Sequence, residues 1–246
     1  MYLKKFRSFQ LILLLVTIQA SAAFAMKSNK ILVFSKTVKF HHQSIAAGLK
    51  AIIKLGEENN FITDTTTNSL KFTSENLKQY KAVIFLSPTG DVLNDEQQKA
   101  FEQYIKGGGG FVGIHAATDC EYDWPWYGNL VGAYFSAHPK QQEAVLKVTD
   151  QKHIATKHLP KEWKRKDEWY NFKWMAKDLN VLIYIDETSY DAGKGKMGEK
   201  HPMAWFHKYD GGKAFYTALG HTDESYQDQL FLKHLLGGIK YAMSKK

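Results

Sequence analysis

The chain has 246 residues, of which 44% are hydrophobic and 24% are charged, a composition that fits one globular domain and excludes a disordered or fibrous protein. The formal net charge is +8, but acidic residues are dispersed among the basic ones, and Glu162, Asp167 and Glu168 interrupt the densest basic run, at 161–170. Because a nucleic-acid-binding surface needs clustered basic residues, we expect no nucleic-acid partner and predict a solvated loop for that run.

The first 25 residues have the order of a secretory signal peptide. Three basic residues precede an apolar segment at 11–18, and the small residues Ala23 and Ala25 follow it. The apolar segment is shorter than the roughly 20 residues that a bilayer span needs, so no membrane anchor is expected after cleavage. We therefore predict an exported protein, periplasmic or extracellular, whose mature domain covers residues 26–246 with a net charge of about +5.

The mature chain begins with a strand pattern, "KILVFSK", followed by a helix pattern, "SIAAGLKAIIKLGEEN". In the helix, Ile45, Leu49, Ile52 and Ile53 recur at the spacing of one buried face, and Gly56 is expected to end it. The segments "NFITDT" and "YKAVIFLS" then predict buried strands, with a short helix over "SENLKQ" between them.

A second long helix is predicted over "NDEQQKAFEQYIKG". Asn94 and Gln97 have the spacing of a capping box, and Gly107 stands where a left-handed C-terminal cap is expected. The next segment, "GFVGIH", predicts a strand that ends on His115. Alternation of strands and helices is typical of an α/β fold, with a parallel sheet and helices on both faces.

The second half of the chain has a different pattern. The aromatic and glycine-rich passage "CEYDWPWYGNLVGAYFSAHPKQ" predicts an irregular segment, and strand patterns follow in "EAVLKVTD", "VLIYIDE", "HPMAWFHKYD" and "GKAFYTALGH". Asp210 and the two glycines after it predict a hairpin turn between the last two strands. A final helix is predicted to begin at Ser225, with Asp228 as its capping partner, and to bury Phe231, Leu235 and Ile239.

Polar side chains follow several of the predicted strands. An open parallel sheet binds ligands at the carboxyl ends of its strands, so these side chains are candidate site residues. His115, Glu168 and His221 are the candidates for acid–base catalysis, because histidine and carboxylate side chains can exchange protons near neutral pH. The candidate substrate-binding residues are His41, His42, Thr118, Asp119, Tyr122, Trp124, His138, Gln141 and His201.

Three kinds of chemistry compete for these residues. The first is acid–base catalysis on a sugar or another carbonyl compound. The second uses a divalent metal, which distant residues would have to bind, because neither H-E-x-x-H nor H-x-H occurs. The third, nucleophilic catalysis, is disfavoured. In many α/β hydrolases a Ser or Cys nucleophile stands on the sharp turn between a strand and a helix, and "GIHAA" places His115 there. The single cysteine, Cys120, lies five residues later; it cannot form an intramolecular disulfide and is expected to be buried.

The aromatic residues after His115 admit two interpretations. Tyr122, Trp124, Trp126 and Tyr127 either form a wall that stacks on a sugar ring or belong to the core. Three other tryptophans in strand-like settings are expected to pack in the core: Trp169, Trp174 and Trp205.

The motifs "GGGGFVGIHAATD", "YGNLVGAYFSAHPKQQ", "KDEWYNF", "HPMAWF" and "FYTALGHTDESYQD" resemble the ThuA-like (trehalose utilisation) family over essentially the whole mature chain. The resemblance implies a flavodoxin-like, class I glutamine amidotransferase-like three-layer sandwich with a mainly parallel central sheet and no nucleophilic cysteine. The residues within matching motifs that it places in the site are His115, Asp119, His138, Glu168, His201 and His221.

The resemblance also implies a role in the use of trehalose and related disaccharides through keto-sugar intermediates. The expected partner is thus a small-molecule sugar, and a homo-oligomer is compatible with the sequence. Acid–base processing of a keto-disaccharide by an isomerase, lyase or hydrolase is the preferred hypothesis, because the candidate site holds many titratable groups. A sugar-binding module without catalysis is the alternative, and a hydrolase of the amidotransferase-like fold is a third hypothesis that lacks a nucleophile. Whether a metal takes part remains open.

Overall fold

Eleven strands and five α-helices make up the part of the chain that the computed structural model describes, residues 29–244. The predicted signal peptide lies outside the described residues. The strands are β1 (Lys30–Phe34), β2 (Ile62–Thr66), β3 (Ala82–Leu86), β4 (Gly110–Ile114), β5 (Ala133–Ala137), β6 (Gln142–Val148), β7 (Glu162–Asp167), β8 (Asn171–Met175), β9 (Asn180–Ile185), β10 (His201–Tyr209) and β11 (Gly212–Thr217). The helices are α1 (Ile45–Glu58), α2 (Ser74–Leu77), α3 (Asp95–Lys106), α4 (Pro125–Val131) and α5 (Gln229–Met243).

Nine strands form one sheet, in the order β2-β1-β3-β4-β11-β10-β9-β6-β7. The first five run parallel, and the last four, here called the antiparallel wing, are each antiparallel to the strand before them. β3 and β4 are buried at every position, as expected for strands covered on both faces. The predicted α/β, flavodoxin-like architecture is confirmed, and the wing extends it.

Helices cover both faces of the parallel strands. Phe101 of α3 lies against Phe85 and Phe111, with ring centroids 5.5 and 6.1 Å apart, respectively. On the opposite face α5 approaches so closely that a Cβ on Gly238 would lie 2.2 Å from the ring of Phe215. Phe215 of β11 pairs with Val112 of β4, the residue after Phe111. Because side chains alternate between the two faces along a strand, the rings of Phe215 and Phe111 point to opposite faces of the sheet.

The first helix and its neighbouring strand differ from the prediction in detail. α1 continues past Gly56 to Glu58, because Gly56 serves close packing: a Cβ there would lie 2.7 Å from the carbonyl oxygen of Phe61. Ile53 lies outside the buried face with 37% of its surface exposed. β2 is an edge strand and not a buried one, since Ile62 is 55% exposed.

Helix caps show one confirmation and two corrections. The capping box of Asn94 with Gln97 is present at the start of α3. Gly107 is helical with φ −69°, and the left-handed residue is Gly108, with φ 91°. α5 begins at Gln229 and not at Ser225, because Asp228 itself caps the helix by accepting the N–H of Leu230.

The basic run at 161–170 is the largest departure from the prediction, because it contains β7 instead of a solvated loop. Along β7 exposed and buried residues alternate, and the buried ones are Trp163, Arg165 and Asp167. The guanidinium group of Arg165 lies over the ring of Phe231, with 5.0 Å from its central carbon to the ring centroid. The charged side chains that suggested a loop are thus divided between the exposed and the buried face of a strand.

The passage predicted to be irregular contains α4 and β5, joined by Gly132. This glycine has φ 96°, and a Cβ on it would lie 2.4 Å from Nε1 of Trp205, so only glycine fits there.

Trp169 and Trp205 are fully buried as expected, whereas Trp174 is 41% exposed. The predicted hairpin between β10 and β11 is confirmed. Within the described part of the chain, no helix has the length and apolarity to cross a bilayer.

Candidate active site

Four side chains from four separate segments meet at one edge of the sheet. His42 follows β1, His115 follows β4, Glu168 follows β7 and His221 follows β11. One nitrogen or oxygen atom from each lies within 4.8 Å of those of the other three. We call these four residues the His–Glu cluster. β7 runs in the same direction as the five parallel strands, so all four residues lie at the carboxyl edge, where ligands of α/β sheets bind.

Three atoms form the centre of the His–Glu cluster. Nε2 of His115 lies 2.9 Å from Nδ1 of His221 and 3.5 Å from Oε2 of Glu168. The same Oε2 lies 3.1 Å from Nδ1 of His221. The ring of His42 completes the group, with its centroid 4.8 Å from that of His115 and 5.2 Å from that of His221. The three residues proposed for acid–base catalysis are thus brought together.

His115 stands on a strained turn directly after β4. Its φ is 50°, a left-handed conformation that is uncommon for a residue with a Cβ and often marks a functional site. Nδ1 of the ring lies 2.8 Å from the carbonyl oxygen of Ala218. Because a carbonyl can only accept, Nδ1 carries a proton, and Nε2 is the ring nitrogen that faces the His–Glu cluster.

Glu168 is a buried carboxylate, with a side chain only 6% exposed. Burial by itself would raise the pKa of Glu168, but hydrogen bonds and charge attraction from His115 and His221 hold it below its usual range. Its other oxygen, Oε1, lies 3.1 Å from Nδ1 of His138, whose side chain is 43% exposed. Glu168 is therefore ionised, and His138 connects it to the solvent.

His42 is buried and neutral. Burial, followed by the nearby His115 and His221, lowers the pKa of His42 to about 3. Among the described residues, Nδ1 of His42 has no hydrogen-bond partner. His41 next to it points elsewhere: it is exposed, and its Nδ1 lies 3.1 Å from Oγ1 of Thr37.

Asp167 organises the site, although it was not among the candidate site residues. Its carboxylate is fully buried and accepts the backbone N–H groups of Glu168, Gly220 and His221 at 3.0, 3.0 and 3.1 Å, respectively. The guanidinium group of Arg165 neutralises it, with 2.9 Å from Nη2 to Oδ2. The alternation of Arg165 and Asp167 in β7 is the signal that could have revealed the pair.

Aromatic and polar side chains form a second patch beside the His–Glu cluster. The ring of Tyr170 lies 4.2 Å from that of His115 and 4.2 Å from that of Phe135. The hydroxyl of Tyr122 lies 2.6 Å from Oδ1 of Asp119 and 3.2 Å from the carbonyl oxygen of Phe135. Burial raises the pKa of Asp119. Asp119 and Tyr122 therefore adjoin the cluster without entering it.

Four of the proposed substrate-binding residues occupy other positions. Thr118 is fully buried behind His115, with its hydroxyl 3.0 Å from that of Tyr216. Trp124 is turned to the core, where its Nε1 donates to Glu102. Gln141 is exposed and outside the His–Glu cluster.

His201 is the fourth of these residues, and it supports the site from behind. It is buried, with Nδ1 2.9 Å from Oε1 of Glu187 and Nε2 2.8 Å from the carbonyl oxygen of Tyr170. Both ring nitrogens are thus paired within the protein. His201 holds the backbone of Tyr170, whose ring contacts His115.

The donor atoms of the His–Glu cluster could hold a metal as well as transfer protons. Three imidazoles and one carboxylate are ligands that divalent transition metals take in proteins. As a set of proton carriers, the same atoms offer one ionised carboxylate and imidazole rings in hydrogen-bond contact with each other. Cys120 takes no part: it is buried, its Sγ contacts the hydroxyl of Tyr127, and burial raises the pKa of its thiol.

Comparison with known proteins places the chain among relatives of the same architecture. The family described as "ThuA: Trehalose utilisation" matches residues 30–242. A ThuA-like protein from Bacteroides uniformis is 27% identical, with a TM-score of 0.74 over 92% of this chain and 96% of that one. No curated protein matches the chain.

Two further solved structures share the fold at lower identity. A ThuA-like protein from Parabacteroides merdae is 21% identical, with a TM-score of 0.75 over 88% of this chain and 90% of its own. A cytoplasmic protein from Salmonella typhimurium is 12% identical, with a TM-score of 0.63 over 87% of this chain and 99% of its own. Together they show that the fold is common to chains of very different sequence.

Proposed function

This chain belongs to the ThuA, or trehalose utilisation, family, and on that premise we propose that it is an exported enzyme that processes a trehalose-type keto-disaccharide at the His–Glu cluster. The chemistry is acid–base catalysis on a C–H bond next to the sugar carbonyl, which leads to isomerisation or cleavage. The proposed export from the cytoplasm rests on the sequence of residues 1–25.

The observation that carries this proposal is the convergence of His115, Glu168 and His221. Three residues from distant parts of the chain meet within 3.5 Å of one another at the carboxyl edge of the sheet. Burying a carboxylate among imidazoles is costly for folding, and apolar residues would pack the same space at a lower cost. Such a group therefore points to chemistry more than to structural support.

Removal of a proton next to a carbonyl needs a base and a group that stabilises the oxyanion as it forms. The His–Glu cluster supplies candidates for both tasks: the lone pair of His115 Nε2, the imidazole of His221 and the carboxylate of Glu168. His138 provides a route for proton exchange with solvent, because its ring contacts Glu168 and is partly exposed. Tyr122 and Phe135, which are partly exposed beside the cluster, provide apolar surface for a sugar ring, and the buried Tyr170 supports Phe135.

The experiment is to incubate the protein with trehalose and with 3-keto-trehalose in deuterated water and to follow both sugars by NMR. We expect deuterium incorporation next to the carbonyl, or a new product, from the keto-sugar only. His115→Ala and Glu168→Gln should abolish it while circular dichroism stays unchanged. His207→Gln is the matched control, since His207 is a buried histidine near the far end of β10, bonded to the carbonyl of Asn129.

Two results would contradict the proposal. Binding of either sugar in a calorimeter without any chemical change would favour a sugar-binding module. Unchanged turnover in His115→Ala would remove His115 from the mechanism.

A further inference from the structure

We propose that the four residues of the His–Glu cluster bind one divalent transition-metal ion, for which zinc is the reference case. The inference deepens the proposed function, and its catalytic consequence rests on that function. The binding of the ion itself rests on geometry and can be measured without any sugar.

The first support is the proton count at the centre of the cluster. Nδ1 of His115 donates to the carbonyl oxygen of Ala218, so Nε2 of the singly protonated imidazole is an acceptor, as is the carboxylate oxygen Oε2 of Glu168. These two acceptors nevertheless lie 3.5 Å apart. A single hydrogen atom on Nδ1 of His221 cannot form a strong hydrogen bond to both of these acceptors at once. A cation between the three atoms turns this repulsive arrangement into an attractive one.

The distances fit a metal centre. Ligand atoms about 2.0–2.1 Å from zinc in a tetrahedral site lie about 3.3 Å from one another. The three contacts at the centre of the cluster are 2.9, 3.1 and 3.5 Å, which is close to that value. Small side-chain movements are therefore enough to place an ion among these three atoms, and His42 has to move closer to join them, because the donor atoms of the four residues are separated by up to 4.8 Å.

The second, independent support is His42. This side chain is 3% exposed, and its Nδ1 has no hydrogen-bond partner among the residues that the structure describes. Buried polar atoms are nearly always paired, so an unpaired imidazole nitrogen beside two other histidines calls for a ligand. Metal coordination by His42 would supply the missing interaction.

The surroundings of the cluster are those of a metal site, in which partners outside the ligand set orient each ligand. The carbonyl of Ala218 fixes the ring of His115, and Nδ1 of His138 contacts the outer oxygen of Glu168. The carboxylate of Asp167 holds the backbone at both Glu168 and His221.

The donor set also selects the ion. Three imidazole nitrogens and one carboxylate oxygen favour zinc, iron, cobalt, nickel or manganese over magnesium and calcium, which prefer oxygen ligands.

In catalysis the ion would polarise the carbonyl of the keto-sugar as a Lewis acid. Proton transfer would then pass to groups outside the ligand set, such as His138, which contacts Glu168 and the solvent.

The test begins with protein purified without chelator and its metal content measured by mass spectrometry. We expect about one equivalent of a transition metal per chain. After removal of the metal, titration with Co²⁺ should give the visible absorption of a four- or five-coordinate site with nitrogen ligands. His42→Ala and His221→Ala should weaken Zn²⁺ binding by roughly 100-fold or more, in line with the 10–100-fold loss found when only outer-shell partners are removed. His207→Gln should bind Zn²⁺ like the unaltered protein.

The outcomes separate this inference from the proposed function. A wild-type protein that holds less than about a tenth of an equivalent and takes up neither Co²⁺ nor Zn²⁺ overturns the metal site, even if it converts the keto-sugar. A protein that binds the ion through His42 and His221 but leaves both sugars unchanged keeps the metal site and loses the proposed reaction. The Co²⁺ spectrum of the wild-type protein keeps the test valid if a variant fails to fold.

Discussion

The carboxylate of Asp167 accepts the backbone N–H of His221 at 3.1 Å, across 54 positions of the chain. Because the same carboxylate accepts the N–H of the next residue, Glu168, at 3.0 Å, one buried group sets the positions of two members of the His–Glu cluster. Asp167 does not belong to the cluster itself and acts through the backbone of the residues it holds. The precision of the site therefore depends on a positioning residue at the end of β7.

Replacing Asp167 with Asn tests this dependence. An amide offers one acceptor oxygen where the carboxylate offers two, and it leaves the buried Arg165 without its full counter-charge. We expect the free energy of unfolding to fall by about 3 kcal/mol and keto-sugar turnover to fall with it, measured by urea titration and NMR. Glu143→Gln is the control, because its ion pair with Lys164 is exposed and is worth at most about 1 kcal/mol. Unchanged turnover in Asp167→Asn would show that backbone placement does not limit the chemistry.

The stability of the protein should depend on pH through Glu121. Burial raises the pKa of Glu121 to about 7, although the N–H groups of Val92 and Leu93 and the side chain of Gln98 donate to its carboxylate. Because the folded pKa lies above the unfolded value, the stabilising contribution of the neutral group is complete below about pH 4.5 and is lost as the pH rises through about 7.

The measurement is urea unfolding of the wild-type protein and Glu121→Gln at several pH values from 4.5 to 8. The difference in unfolding free energy between the two should change by up to about 3 kcal/mol across this window, with the wild type losing stability as the pH rises. Glu75→Gln, at an exposed position, should show no such change. A pH-independent difference for Glu121→Gln would mean that the carboxylate stays ionised throughout.

Gly132 should tolerate no side chain. Its φ of 96° is unfavourable for other residues, and a Cβ would lie 2.4 Å from Nε1 of Trp205. We expect Gly132→Ala to lower the unfolding free energy by about 3 kcal/mol or more, from backbone strain and steric overlap together. Gly193→Ala is the matched control: it also has a positive φ, 60°, but its Cβ would meet nothing within 4 Å, so its cost should stay near 1 kcal/mol. Equal losses for the two variants would leave backbone strain as the only cause.

Phe40 should contribute to sugar binding and not to folding. It is 63% exposed, and its ring lies edge-on to that of His42 with centroids 4.8 Å apart, which puts an apolar surface beside the His–Glu cluster. We expect Phe40→Ala to raise KM for the keto-sugar about 10-fold with kcat nearly unchanged, since only uniform binding is lost. Leu70→Ala, 73% exposed and in a different segment, should change neither constant. A lower kcat with an unchanged KM would instead place Phe40 in the reaction step.

The strand pattern was enough to predict the core of the site but not its limits. His115 and His221 converge because the ends of parallel strands share one edge, which the sequence can reveal, whereas Glu168 follows β7, a strand that the pattern does not predict. Thr118 and Trp124 were proposed for the site because they are close to His115 in sequence. The turn after β4 directs both to the interior, and only the packing of the folded chain determines that.

Local patterns predict three strands of the antiparallel wing, β6, β9 and β10, but not the fourth, β7. β7 carries charged residues on its exposed face and, with Arg165 and Asp167, on its buried face, so its sequence lacks the alternation of apolar and polar residues that predicts a strand. The role of Asp167 depends on hydrogen bonds to residues 53 and 54 positions away in the chain, which no local rule captures. β3 and β4 are predicted well because they are uniformly apolar, and the long helices of the parallel half have clear periodicity.

The number of strands in the antiparallel wing determines at which edge of the sheet Glu168 lies. Between β11 and β7 the chain direction reverses four times, an even number, and that is why the end of β7 returns to the edge where the other three members of the cluster lie. With one strand fewer or one strand more in the wing, the outermost strand would deliver its last residue to the opposite edge, about 17–20 Å away for a strand of five or six residues. Relatives that keep Glu168 at this centre can therefore gain or lose wing strands only in pairs.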